Sequence, residues 1–204
     1  MTTPAAAARF GEVVEASIER LVGQCHLLYK APPLGALVRA GDAGDAAYSI
    51  VAGVATSSLD PTRRVIARGA DADSEAAVYR EHPQLERLLR TEVALAVVGH
   101  TQDGEVRQYL PPLPPHIHTF LYACSPQEVR AFTEELDFVG HLARRMEPAA
   151  DDVLAAALRH AATAYEQPEA FLARAGRTVA LHMGADTARL TGLLRRLPLG
   201  RTPA

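Results

Sequence analysis

The sequence predicts an α+β fold in which a small antiparallel β-barrel comes first and an α-helical part follows. Three observations predict it. Between Gly11 and Ala67 short β-type runs are punctuated by turns, the pattern of a small barrel or sandwich. Strand composition returns at residues 91–99, and Asp103-Gly104 then suits a hairpin turn into residues 105–109. Beyond the proline-rich residues 110–115 the apolar residues recur every three or four positions, as on one side of a helix.

Taken in order, residues 1–8 are small and are expected to fray. Residues 11–15, 18–28, 35–39, 47–56 and 64–67 read as five strands. Pro32-Pro33 has no amide to give to a ladder and belongs in a corner between strands; Gly35 permits the tight entry into Ala36-Leu37-Val38. Gly53, inside a strand, suggests a bulge of the kind a closing barrel needs. Asp60 is placed to accept from nearby backbone amides in the Leu59-Asp60-Pro61 turn. From Asp71 an acidic helix start leads to Val78, Leu85, Leu88 and Leu89, with Pro83 splitting the segment into two short helices. Residues 121–124 complete the strands. Ser125-Pro126-Gln127-Glu128 is a capping box that opens a helix carrying Val129, Phe132, Leu136, Val139 and Leu142 as far as Pro148. Asp151-Asp152 opens a second, Pro168 a third, Gly176 and Gly184 break the remainder, and Leu190, Leu193, Leu194 and Leu197 mark a last helix. The organisation expected is a β domain over residues 9–122, with a helical insertion around 72–90, and a helical region over 123–204.

Gly11-Glu12-Val13-Val14-Glu15-Ala16-Ser17, Pro33-Leu34-Gly35-Ala36-Leu37-Val38, Tyr48-Ser49-Ile50-Val51 and Leu59-Asp60-Pro61-Thr62-Arg63-Arg64 before Gly69 resemble the HAS barrel. That small barrel is shared by the N-terminus of HerA-type DNA-translocating ATPases and the N-terminal region of ATP synthase catalytic-head subunits. The resemblance covers the first third to half of the chain. It implies a domain that binds no nucleotide and does no chemistry, and that serves ring assembly and partner docking.

The bulk composition narrows the classes. With 204 residues, 48% hydrophobic, the chain can bury a substantial core. Residues 1–124 carry 14 acidic and 11 basic side chains and residues 125–204 carry 10 of each, for a net charge of −3. That balance is not the basic one of a dedicated nucleic-acid binder. Lys30 is the one lysine among 21 basic residues, so the arginines reflect composition bias. Cys25 and Cys124 have no metal spacing and read as two thiols in a reducing cytoplasm, a disulfide being the alternative. No apolar run approaches the roughly 20 residues that span a bilayer, and the start has no secretory apolar segment, so a cytoplasmic location is expected.

Chemistry is mostly missing. An ATPase needs a glycine-rich loop with Gly-Lys-Ser/Thr, and none is present; the chain departs from the HerA and ATP synthase pattern by lacking the motor. No serine sits in a G-x-S-x-G elbow. His116 and His118 are the nearest approach to a metal pair, since alternate residues of a strand point the same way, but no cysteine or carboxylate joins them at ligand spacing. Asp151-Asp152 and Asp71-x-Asp73 suit helix starts without an ion. Arg195, Arg196 and Arg201 are a weak candidate for phosphate contact. The expectation is therefore a non-enzymatic assembly or adaptor protein without a cofactor, with Pro32, Pro33, Leu34, Leu59, Arg63 and Arg64 as its interface. The alternative is a small-ligand-binding or metal-dependent enzyme with a site between barrel and helices.

Overall fold

The computed structural model describes residues 8–145, 147 and 149–198. Seven antiparallel strands come first: β1 (Ala8–Ala16), β2 (Arg20–Cys25), β3 (Leu37–Ala40), β4 (Ala47–Ser58), β5 (Leu89–Gln102), β6 (Glu105–Arg107) and β7 (Phe120–Ala123). Their order is β2-β1-β7-β3-β4-β5-β6, and β2 also pairs with β5. The pairings therefore return to their start: six strands form a cycle, with β6 attached outside it as a hairpin partner of β5. The turn between β5 and β6 has Asp103 and Gly104 both at positive φ, 53° and 78°, as a two-residue hairpin of this sequence requires.

Strand alternation decides what each face covers. Val93, Leu95 and Val97 of β5 turn into the cycle, where they meet Val13, Leu21 and Leu121. Ala96 and Val98, on the other face of the same strand, join Leu37, Tyr48 and Ile50 under the helices. Gly23 has no side chain because Leu121 fills its place: a Cβ there would lie 2.2 Å from Leu121 Cδ1.

The helical layer comprises α1 (Glu75–Glu81) and α2 (Leu85–Leu88) between β4 and β5, then α3 (Pro126–Phe132), α4 (Phe138–Ala143), α5 (Ala150–Ala162), α6 (Pro168–Met183) and α7 (Thr187–Leu194). α5 is buried on most of its circumference, since β3, β4, α4, α6 and α7 all pack on it. Its run of alanines lets so many neighbours come close. The Ser125 cap is complete: Glu128 N donates to Ser125 Oγ at 3.3 Å and Ser125 N to Glu128 Oε2 at 2.8 Å. Glu128 also accepts from Arg39 Nε at 2.9 Å, and the Arg39 guanidinium lies 4.4 Å from the centre of the Tyr122 ring. One carboxylate thus joins the start of α3 to β3. Hydrogen bonds from Ser125 and Arg39 hold the Glu128 carboxyl below its usual range despite its partial burial.

Three expectations change. Residues 64–67 form no strand; Val65 and Ile66 are exposed. A run of that length needs a free edge to pair with, and the cyclic order leaves few. The helix expected from Ser125 to Pro148 is two helices, α3 and α4. At the break Phe138 N donates to Gln108 Oε1 at 2.9 Å, while Gln108 Nε2 donates to the Phe132 and Glu135 carbonyls. Arg174 meets the carbonyls of Thr133 and Glu134. Two distant side chains thus satisfy the backbone groups that continued helix would have used. Gly176 does not end α6, which continues through it as a buried position. Pro148 lies outside the described residues, as do all of residues 1–8 but Ala8. Among the described residues no helix is long and apolar enough to cross a membrane.

Gly35 fixes the distance between the two layers. Its φ is +83°, its N–H donates to Val51 O at 2.9 Å, and a Cβ would stand 2.3 Å from the carbonyl carbon of Ala156 in α5. Gly35→Ala should cost about 3 kcal/mol in urea unfolding, from the strained φ and the displaced helix. Gly44→Ala, with open space around it, should change stability by less than about 0.5 kcal/mol.

Candidate docking surface

β4 and β5 are longer than the cycle needs. β2 leaves β5 at the Gln24–Glu92 pair, after which Thr56, Ser57 and Ser58 pair with Thr91, Arg90 and Leu89 as a two-stranded arm. The buried Thr91 hydroxyl fixes the base of the arm: it accepts from Tyr29 N and shares a hydrogen bond with the Thr56 hydroxyl, both at 2.9 Å. A backbone bond from Leu59 N to Leu88 O at 2.8 Å closes the arm, and α1 and α2 fold within the excursion beyond it. Tyr79 of α1 meets the Tyr29 hydroxyl at 2.5 Å; that hydrogen bond, with some burial, pushes the Tyr79 phenol up to about 12.

At the end of the arm lies a groove of about 350 Å³. Leu59, Val65, Ile66 and Leu88 line it, with exposures between 45% and 64%, so an apolar strip faces water. Arg63, Arg64 and Arg68 stand around it with a single carboxylate, Asp60. Asp60 shapes the turn by accepting from Thr62 N at 2.9 Å and Thr62 Oγ1 at 2.6 Å, and these bonds lower its pKa. Arg63 Nε is 3.3 Å from the other Asp60 oxygen.

The predicted interface residues thus divide. Leu59, Arg63 and Arg64 line the groove, together with Val65, Ile66 and Leu88, which sequence reading assigned to a strand and a helix. Pro32, Pro33 and Leu34 lie at the corner beside Val51, roughly 25 Å back along β4 at the usual strand rise. Pro33 and Leu34 are exposed there, while Gly35 is packed on α5.

His116 and His118 do not share a strand, so the alternation that would aim both at one ion does not apply: His118 sits in a turn with φ +69°. Its Nδ1 donates instead to Glu12 Oε2 at 2.9 Å, and His26 Nε2 donates to Glu12 Oε1 at 3.2 Å. Strand pairing assembles this trio. Glu12 is opposite Gln24, two residues before His26, and His118 N bonds Val13 O. The hydrogen bond from His118, then that from His26, lowers the Glu12 pKa. Among the described residues no three His, Cys, Asp or Glu side chains are grouped to hold a metal ion. Cys25 and Cys124 are free thiols, and burial pushes both upward in pKa.

Between sheet and helices, space beside Gly35, Leu37 and α5 amounts to about 10 Å³, about what one water needs. A notch of about 180 Å³ opens where Ala52 and Ala96 meet Leu142 and Val153. Arg196 Nε pairs with Asp152 at 2.9 Å, Arg195 is exposed, and Arg201 lies outside the described residues. Asp151 is taken by Arg189 at 2.8 Å, so both acids at the start of α5 serve packing. No protein-family model matches the chain, and no characterised protein matches it in sequence.

Folding lowers the Glu12 pKa, so its contribution is present above the unfolded-state value and is lost as pH falls through the folded one. Glu12→Gln should therefore flatten the acid limb of stability against pH. Urea unfolding from neutral pH downward checks this; an acid limb unchanged from the wild type counts against the two histidine contacts.

Proposed function

We propose that the protein is a non-catalytic docking and assembly module built on a HAS-type barrel. The cyclic order of six strands supports the barrel, because it covers most of the segments that carry the resemblance. Its interior is filled by apolar side chains, as in a small barrel used as a scaffold. The absence of any Gly-Lys-Ser/Thr in the sequence agrees with a barrel separated from its motor.

The observation that carries the docking role is the exposed apolar groove on the β4–β5 arm. An apolar strip held out on a projecting arm and rimmed by charge is the usual form of an interaction site. Three arginines against one carboxylate favour a protein segment that is apolar at its centre and acidic at its flanks. The resemblance implies the partner class: a HerA-type DNA-processing translocase or its nuclease, in the cytoplasm. Any contact with DNA then runs through that partner.

Light scattering of the untagged chain with a purified HerA-type translocase from the same genome should give a complex. Leu59→Asp or Ile66→Asp should weaken it by about tenfold or more, as expected for an apolar anchor. Leu34→Asp, on the separate corner, should leave it within about twofold. No complex, or one unchanged by both groove substitutions, sinks the assignment.

A further inference from the structure

The arm carries a second feature beside its groove, along the outer edge of β4. β3 pairs with β4 only from Ala47 to Ile50, and the corner ahead of β3 ends with Gly35 N and Ala36 O bonded to Val51. Beyond the bulge at Ala52, β4 runs in regular register with β5 from Gly53 to Ser58. Leu59 N donates to Leu88 O at 2.8 Å, one step further in that register. Bonded pairs alternate along an antiparallel ladder, so Ser57 with Arg90 and Ala55 with Glu92 are bonded pairs too. Val54, Thr56 and Ser58 therefore turn their N–H and C=O groups outward. Among the described residues no backbone group bonds them there, and residues 54–57 are exposed.

Other edges of the sheet are blunted. β6 is three residues long and carries Glu105 and Arg107, paired at 2.6 Å. On the β5 side of the arm, Tyr29 N already occupies Thr91. The β4 edge has none of the usual protections: no charged residue stands between Asp45 and Asp60, and no proline between Pro33 and Pro61. Arg63 to Ile66, next in the chain, line the groove with Leu85 and Leu88 and so leave this edge open. Regularly spaced donors and acceptors along an edge are complementary to another strand.

A second copy of the same edge supplies that strand. The outward groups are symmetric about Thr56, so a two-fold axis there faces Thr56 with Thr56 and Val54 with Ser58. Each facing pair exchanges two backbone bonds. Charge selects this antiparallel arrangement. Arg90 and Glu92, 3.1 Å apart, share the sheet face of Ser57 and Ala55, their cross-strand partners. Two-fold pairing sets Ala55 opposite Ser57 of the second copy, so each row across the joined sheet runs from Glu92 of one chain to Arg90 of the other. Parallel in-register pairing would instead align like charges. We propose that the chain forms a homodimer in which two arms join edge to edge through residues 54–58, as one four-stranded sheet. The dimer does not depend on what docks in the groove.

Sedimentation equilibrium of the full chain from about 1 μM to about 1 mM tests it. The mass should rise toward twice that of the chain along a single monomer–dimer isotherm. Amide hydrogen exchange should slow with concentration at Val54, Thr56 and Ser58, while Ala55 and Ser57 stay protected throughout. Thr56→Pro removes an outward N–H and no bond of the β4–β5 ladder, and should weaken the dimer by about tenfold or more. Cysteine variants check the register, because facing residues come within disulfide reach. Thr56→Cys should oxidise to a linked dimer, as should a mixture of Val54→Cys and Ser58→Cys chains, whereas Ala55→Cys, which faces Ser57, should link far more slowly. Should Thr56→Pro fail to fold, the cysteine pattern decides. A monomer at every concentration, a dimer indifferent to Thr56→Pro, or equal linking at residues 55 and 56 overturns the proposal. Protection of the three outward amides only when a HerA-type translocase is added assigns the edge to another protein and overturns it too.

Discussion

The fold depends on how closely the Pro32-Pro33-Leu34-Gly35 corner approaches the backbone of α5. Gly35 leaves no room for a Cβ against Ala156 and adopts a φ that favours glycine. The corner enters β3 from there, so its seat on α5 sets the height of the sheet beneath the helices. A few residues further on, Arg39 reaches Glu128 and fixes where α3 begins. One contact sets separation and the other sets rotation. Breaking either leaves Tyr48 and Ile50 to meet Phe132 and Leu158 at the wrong distance.

The three strands β3, β4 and β5 carry both cores at once. Their inward residues close the strand cycle, and their outward residues are covered by α3 to α6. Burial on both faces explains why their sequences lack clean alternation of apolar and polar residues. It also explains why the exposed apolar strip arises in the excursion beyond Ser58: within the cycle, these strands have little unpaired surface to offer.

Much of this was legible in the sequence where the signal is local. Ser125-Pro126-Gln127-Glu128 specifies its own cap, Asp103-Gly104 its own turn, and Pro83 its own break between α1 and α2. What escaped depends on partners far along the chain. The α3–α4 break is stabilised by Gln108 and Arg174, which no helical pattern in residues 125–143 reveals. Val65 and Ile66 have strand composition but no edge to join. Glu12, His26 and His118 become neighbours only through pairing of β1 with β2 and with the segment before β7. The groove was half visible, because turn residues such as Asp60 and the arginines after it announce themselves, whereas its apolar floor resembles ordinary core.

The cyclic order also constrains when the parts can form. β1 bonds β2 on one side, a local hairpin, but its other neighbour is β7, through pairs such as Ala8 with Ala123 and Glu12 with Phe120. A chain emerging from the ribosome has made β1 to β6 before β7 exists. Until then one edge of β1 and one edge of β3 stand open, and loop closure over so long a stretch is slow. β7 is thus the keystone of assembly: it is short, it inserts between two waiting edges, and α3 begins at once behind it. The capping box and the Arg39–Glu128 pair can then lock the newly seated strand as soon as the next turn of chain appears.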